Sequence, residues 1–101
     1  MEEKAVNRSL GFHLTYDEPG DVLYLSRSRE IAAHGTEDVD GIVWRHNGAG
    51  DLVGATIPAF HEIWLNDRPR LESKLASRFH ISIDQARDAV EDAFEATASS
   101  T

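Results

Sequence analysis

Five histidines and a scatter of carboxylates are the residues of this 101-residue chain best suited to chemistry. The histidines are His13, His34, His46, His61 and His80. Imidazole is both a general base and a metal ligand. No two of them stand at His-x-x-x-His or another ligand spacing. His61-Glu62 opens like a His-Glu-x-x-His zinc motif, but position 65 is Leu65 and the second ligand is missing. Asp38 and Asp40 share a face if that segment is extended, and with Glu37 they could hold a hard cation. The plainer reading is a solvated acidic turn. Asp17, Glu18 and Asp21 read as turn residues. No Gly-x-Ser-x-Gly, P-loop or dinucleotide fingerprint occurs. No catalytic, cofactor-binding or metal residues are assigned, and no cofactor is expected. An enzyme or small-ligand binder assembled in space from His13, His46 and carboxylates stays open.

A second constellation is basic against acidic. Arg70, Lys74 and Arg78 recur at i, i+4 and i+8. Further on, Asp84, Asp88, Glu91, Asp92 and Glu95 crowd a stretch whose one base is Arg87, leaving residues 83–95 at net −4. Opposite stripes on consecutive helices can pair with each other or with a second copy of the chain. Exposed pairs contribute only ~0.2–1 kcal/mol each, so they would set geometry more than stability. The alternative is that the three bases bind phosphate or RNA.

These side chains need elements to hold them. Residues 1–10 are polar and without periodicity, and read as a flexible arm. Phe12–Tyr16 alternates apolar and polar, as a half-buried strand does. Asp17-Glu18-Pro19-Gly20-Asp21 is a turn, with Pro presetting φ and Gly accepting a positive one. Val22–Leu25 follows, then Gly41–Arg45, a hairpin loop Asn47-Gly48-Ala49-Gly50-Asp51, and Leu52–Ile57. Residues 27–40 read as a link that can hold extensions of the second and third strands. Pro58 ends the last strand, and 59–65 fits a short helix. Asn66 or Asp67 can cap a helix running to Phe79, with Pro69 in its first turn and Leu71, Leu75, Ala76 and Phe79 on one face. Ser82 and Gln85 form a capping-box pattern. The last helix presents Ile83, Ala86, Val90, Ala93 and Phe94 as one stripe, and residues 98–101 fray.

The fold expected is α+β: a four-stranded antiparallel β-meander over 12–57 followed by two C-terminal helices over 59–97, all within one domain, 1–101. The second and third strands read as apolar on both faces: Val22 and Tyr24 oppose Leu23 and Leu25, and Ile42 and Trp44 oppose Val43. Helices can cover one face only. A homodimer through Tyr24, Ile42 and Trp44 is the economical cover for the other. The competing cover is the segment 59–65 folding back.

Composition narrows function. The formal charge is −8, and it is spread as −3, −3 and −2 over residues 1–26, 27–66 and 67–101. Such a field repels nucleic acid and anionic membranes and favours basic partners. Simple solubility is the plainer reason for such a charge. No apolar run approaches the ~20 residues of a membrane span. The start Met-Glu-Glu-Lys lacks a secretory pattern, and cysteine is absent, so a cytoplasmic location is expected.

Two resemblances add to this reading. Residues Leu14-Thr15-Tyr16-Asp17-Glu18-Pro19-Gly20-Asp21-Val22-Leu23-Tyr24-Leu25 resemble the opening signature of the YuzE-like family of small bacterial proteins of unknown function. Glu37–Trp44 and Gly50–Ile57 resemble its second hairpin. The likeness spans residues 12–60 and implies the β-meander, but no activity. The stretch Leu75-Ala76-x-x-Phe79-x-Ile81-Ser82-x-x-x-Ala86-Arg87-x-Ala89-Val90 is similar to the helix-turn-helix of bacterial regulators, including the GntR type. That likeness implies a second helix lying in the major groove. Gln85 and Arg87 have base-reading chemistry. Asp84 and Asp88 beside them repel phosphate, and His80 stands where the turn usually has Gly.

The function these features favour is a small interaction module. Its acidic helix (Asp84, Asp88, Glu91, Asp92, Glu95) would dock a basic protein, as an antitoxin-type companion does. The alternatives are a DNA-binding regulator using residues 70–95 and the ligand binder or enzyme above.

Overall fold

Phe12, Leu14 and Tyr16 alternate with His13, Thr15 and Asp17, and the first three are buried in a strand. The computed structural model describes residues 3–9, 12–27 and 32–98, with side chains at 12–27 and 32–97. Its strands are Glu3–Ser9 (β1), Phe12–Asp17 (β2), Val22–Ser26 (β3), His34–Glu37 (β4), Val43–His46 (β5) and Leu52–Ile57 (β6). Helices Phe60–Trp64 (α1), Arg68–Phe79 (α2) and Ile83–Ala98 (α3) follow. The class is α+β, an antiparallel sheet followed by C-terminal helices.

The sheet is not a four-stranded meander. It has six strands in the order β1-β2-β3-β6-β5-β4, each pair antiparallel. Residues 3–9 are not an arm, because their backbone pairs with β2 from Glu3↔Asp17 to Val6↔Leu14. Pairing uses main-chain groups, so a polar sequence does not bar it, and it covers what would otherwise be the exposed edge of β2. The link 27–40 contains β4, which closes a hairpin on β5. β3 lies beside β6 rather than β5, through Leu23↔Ile57 and Leu25↔Ala55. A meander would have left β6 at the edge. That strand has Val53, Gly54, Ala55 and Ile57 buried, so the apolar effect favours a central place for it.

Two loops share one design. Asn47 Oδ1 accepts the N–H groups of Ala49 and Asp51, and Gly50 follows with φ 91°. Asp38 Oδ1 accepts those of Asp40 and Ile42, and Gly41 follows with φ 87°. Each is a turn pinned by its first side chain, with a positive φ that glycine takes without strain.

α2 buries Leu71, Leu75 and Phe79 together with Glu72. Asp67 is its N-cap but makes no side-chain cap bond; its carboxylate takes Arg70 Nε instead, at 2.7 Å. The helix ends at His80 with φ 57°, and the N–H groups of both His80 and Ile81 bond the Ala76 carbonyl. This is the left-handed closure that glycine usually supplies. The Ser82–Gln85 capping box forms reciprocally at 3.0 Å in each direction. α3 buries Ala86, Ala89, Val90, Ala93, Phe94 and Thr97. Ile83, expected in that stripe, is 43% exposed in the first turn. The expected fraying falls largely on residues 99–101, which lie outside those described.

All three helices pack on one face of the sheet. Phe79 stands edge-on to Phe12 at 4.9 Å and to Trp44 at 6.2 Å, and Phe60 stacks on Phe94 at 4.1 Å. Two candidate dimer contacts are therefore corrected: Ile42 and Trp44 are 0% exposed, on the helix-covered side. α1 also goes there, with Phe60 and Trp64 fully buried, so it does not cover the other face. That face carries the half-buried row Thr15, Tyr24, Thr56, Val43, with Val22 and Arg45 beside it. It is mixed in polarity rather than apolar.

Candidate functional site

The candidate cation site at Asp38 and Asp40 is filled by the protein's own bases. Lys74 Nζ lies 2.9 Å from a carboxylate oxygen of each, and Arg70 bridges Asp40 at 2.8 Å and Asp67 at 2.7 Å. Asp38 uses Oδ1 for its own turn and Oδ2 for Lys74 and the indole N–H of Trp44. Burial pushes its carboxyl up. The Lys74 ammonium, the Trp44 N–H and the two turn N–H groups outweigh burial and hold it at about 2. Asp40 is lowered by its bonds to Arg70 and Lys74. Lys74 is raised: burial opposes its charge, and the two aspartates outweigh burial. Among the described residues, no group of three or more His, Asp or Glu is placed to hold a metal ion.

The basic stripe of α2 is thus engaged with groups of the same chain. Arg70 covers Trp64 at 4.6 Å while it pairs Asp40, and Arg78 covers Trp44 at 4.9 Å. Between the two helices, Arg87 of α3 lies 4.0 Å from Glu72 of α2. Arg68 likewise lies over Phe94 at 4.5 Å. A cation over a ring face is attracted by the ring quadrupole, and here it also shields the core edge.

The outward side of α3 is left acidic. Asp84, Asp88, Glu91, Asp92 and Glu95 are all exposed. Arg87, the one base within α3, is bound by Asp84 at 2.8 Å and lies 4.0 Å from Glu72. Gln85 spends its side-chain oxygen on the Ser82 N–H. Both base-reading candidates of the helix-turn-helix are therefore engaged within the chain. An open groove of about 350 Å³ runs beside this face, lined by Arg68, Glu91, Phe94 and Glu95.

A further cluster joins residues that spacing in the sequence did not connect. Tyr16 donates to Asp21 Oδ1 at 2.8 Å, and His61 Nδ1 lies 2.8 Å from the Tyr16 hydroxyl and 3.0 Å from Asp21 Oδ1. The other ring nitrogen lies 2.9 Å from Thr97 Oγ1. Asp21 also accepts the backbone N–H groups of His61 and Glu62, while its carbonyl accepts that of Phe60. The turn after β2 is thereby bolted to the start of α1. Asp21 and Ala59 both sit at positive φ, 55° and 51°, a strain that the surrounding bonds maintain. Burial pushes the Asp21 carboxyl up, but the N–H groups of His61 and Glu62 and the Tyr16 hydroxyl outweigh it and leave it below its ordinary value. Burial and the adjacent Asp21 carboxylate raise the Tyr16 phenol. The sequence did carry one signal for this cluster. Thr97 is in phase with Val90, Ala93 and Phe94, a hydroxyl in an apolar stripe.

His13 is exposed. His34 and His46 stack across the β4–β5 hairpin at 5.4 Å, and His46 Nδ1 is buried without a hydrogen-bond partner among the described residues. The structure does not bring His13 and His46 together with a carboxylate in a catalytic arrangement.

The chain matches no family model, no curated protein and no solved structure. Among the described residues, no helix is long and apolar enough to cross a membrane.

Proposed function

We propose that this protein is an interaction module that docks a basic partner protein on the outward face of α3. One observation carries the reading: α2 engages Arg70, Lys74 and Arg78 with Asp38, Asp40 and two indole rings, while Asp84, Asp88, Glu91 and Glu95 are exposed along α3. From Asp84 to Glu95 the acidic face runs roughly 16 Å at 1.5 Å rise per residue. A predominantly acidic face of that length steers an oppositely charged surface into register. A cytoplasmic, antitoxin-like companion of a basic protein fits this chemistry. Homodimerisation through the sheet face that bears Tyr24 belongs to the same proposal. It would leave α3 outermost on both copies.

The test is a pull-down from the native host with the wild-type chain and with Glu91→Lys/Glu95→Lys, each with and without nuclease. A basic protein held by the wild type, lost from the variant and indifferent to nuclease is the expected result. Association that vanishes with nuclease would overturn the reading in favour of a DNA-binding regulator. Equal retention by both chains would remove α3 from the interface.

A further inference from the structure

The arrangement around His61 has a proton requirement of its own. Each hydrogen bond needs one proton between its two heavy atoms. The Thr97 hydroxyl spends its proton on the Ala93 carbonyl at 2.7 Å. The Nε2–Oγ1 contact must then take its proton from the ring. At the other side, Tyr16 Oη, Asp21 Oδ1 and His61 Nδ1 form a triangle with sides of 2.8, 2.8 and 3.0 Å. Tyr16 brings one proton to it. If Nδ1 is bare, its lone pair faces the Asp21 carboxylate at 3.0 Å, and the single phenol proton cannot serve both. If the proton sits on Nδ1 alone, Thr97 must abandon Ala93 to reach Nε2. A ring protonated at both nitrogens gives every contact a proton. Nδ1–H is shared between Asp21 and the Tyr16 oxygen, Nε2–H serves Thr97, Tyr16 serves Asp21 and Thr97 serves Ala93.

We propose that His61 is a proton-operated clasp that ties the β2–β3 turn and α1 to the last turn of α3. It is closed while both ring nitrogens carry protons and slackens when one is lost. The groups facing the ring come from every element around it. β2 supplies Tyr16, whose phenol also lies in the field of Asp17 and Glu18, and the turn supplies Asp21. α1 supplies the neighbouring Glu62 and the Phe60 ring, 5.3 Å away. α3 supplies Thr97 and the Phe94 ring at 5.6 Å, with Arg68 of α2 over Phe94. Among the described residues the negative group bonded to the ring is Asp21, at 3.0 Å, and the doubly protonated ring pairs with it as an ion as well as by a hydrogen bond. The sign follows: the clasp contributes order while both nitrogens carry protons and loses it when a rise in pH removes one.

The experiment is nitrogen-resolved NMR of the intact chain labelled in histidine, with amide exchange measured at Glu95, Ala96 and Thr97 over the same pH series. Two protonated nitrogens on His61 at the acid end are expected. Loss of one proton should be accompanied by a several-fold rise in exchange at those amides, beyond the intrinsic pH effect. Thr97→Ser should keep the coupling and Thr97→Val should abolish it, both in a folded protein. A ring that holds a single proton throughout, or exchange that ignores its titration, would overturn the proposal. So would coupling that survives in Thr97→Val.

Discussion

Asp38 shows how one side chain can serve two structures. Oδ1 closes the β4–β5 loop and Oδ2 ties that loop to α2 and to Trp44. Its carboxyl, held at about 2 against an ordinary 3.8, favours the ionised form in the folded state. A depressed folded value contributes stability above the unfolded value and loses it as pH falls from about 4 towards 2. The contribution is about 2 kcal/mol at neutral pH for a side chain this little exposed. Asp38→Asn should therefore lose about that much at pH 7 and very little at pH 2. Urea melts across that range check it. At His80 the effect runs the other way. An exposed histidine occupies a left-handed position where its Cβ is strained. His80→Gly should raise stability by about 0.5–1 kcal/mol, the relief of strain being offset in part by a more flexible unfolded chain. Chemical denaturation of the two chains measures it.

At the scale of elements, the helices were the most legible part. The apolar stripe at 71, 75 and 79 and the Ser82–Gln85 capping box are local features, and they formed as read. The β5–β6 hairpin was legible for the same reason. The β4–β5 hairpin was less legible although Asp38 and Gly41 repeat the spacing of Asn47 and Gly50, because carboxylates at 37, 38 and 40 fit a cation site or a solvated turn equally well. Strand order was not legible, since β3 and β6 pair over a long separation and no turn residue encodes that. Gly54 does mark their contact: an added Cβ there would stand 2.6 Å from the Leu25 carbonyl oxygen. Gly54→Ala should force the two strands apart and cost about 1–3 kcal/mol. Gly48→Ala, where a Cβ meets nothing within 4 Å, is the control and should change little. Thermal melts of both variants test whether this approach sets the centre of the sheet.

For the whole molecule, charge is arranged rather than merely abundant. The acid of the β4–β5 loop is consumed by α2, and the acid of α3 faces outward. The net charge of −8 was plain from the sequence, but the pairing of the β4–β5 loop carboxylates with α2 was not. The proposed dimer also changes character at this scale. With Ile42 and Trp44 inside, its interface rests on Tyr24, Val22 and Val43 among threonines. Tyr24→Glu should convert a dimer to a monomer in sedimentation velocity while leaving the helix content unchanged. Dimerisation that persists in Tyr24→Glu would move the interface off that face.

Residue types and short spacings by themselves determined the helices, two of the hairpin turns and the acidic sign of the surface. Each depends on atoms within a few positions along the chain, where hydrogen bonds and helical periodicity act. Only the tertiary structure decided the strand order, the face that Ile42 and Trp44 take, and which base meets which acid. It also decided that Tyr16, Asp21, His61 and Thr97 meet. Those outcomes follow from competition for the buried centre of one sheet. A central place for β6 and a single helix-covered face bury the most apolar surface, and the charged side chains pair with whatever that packing brings within reach.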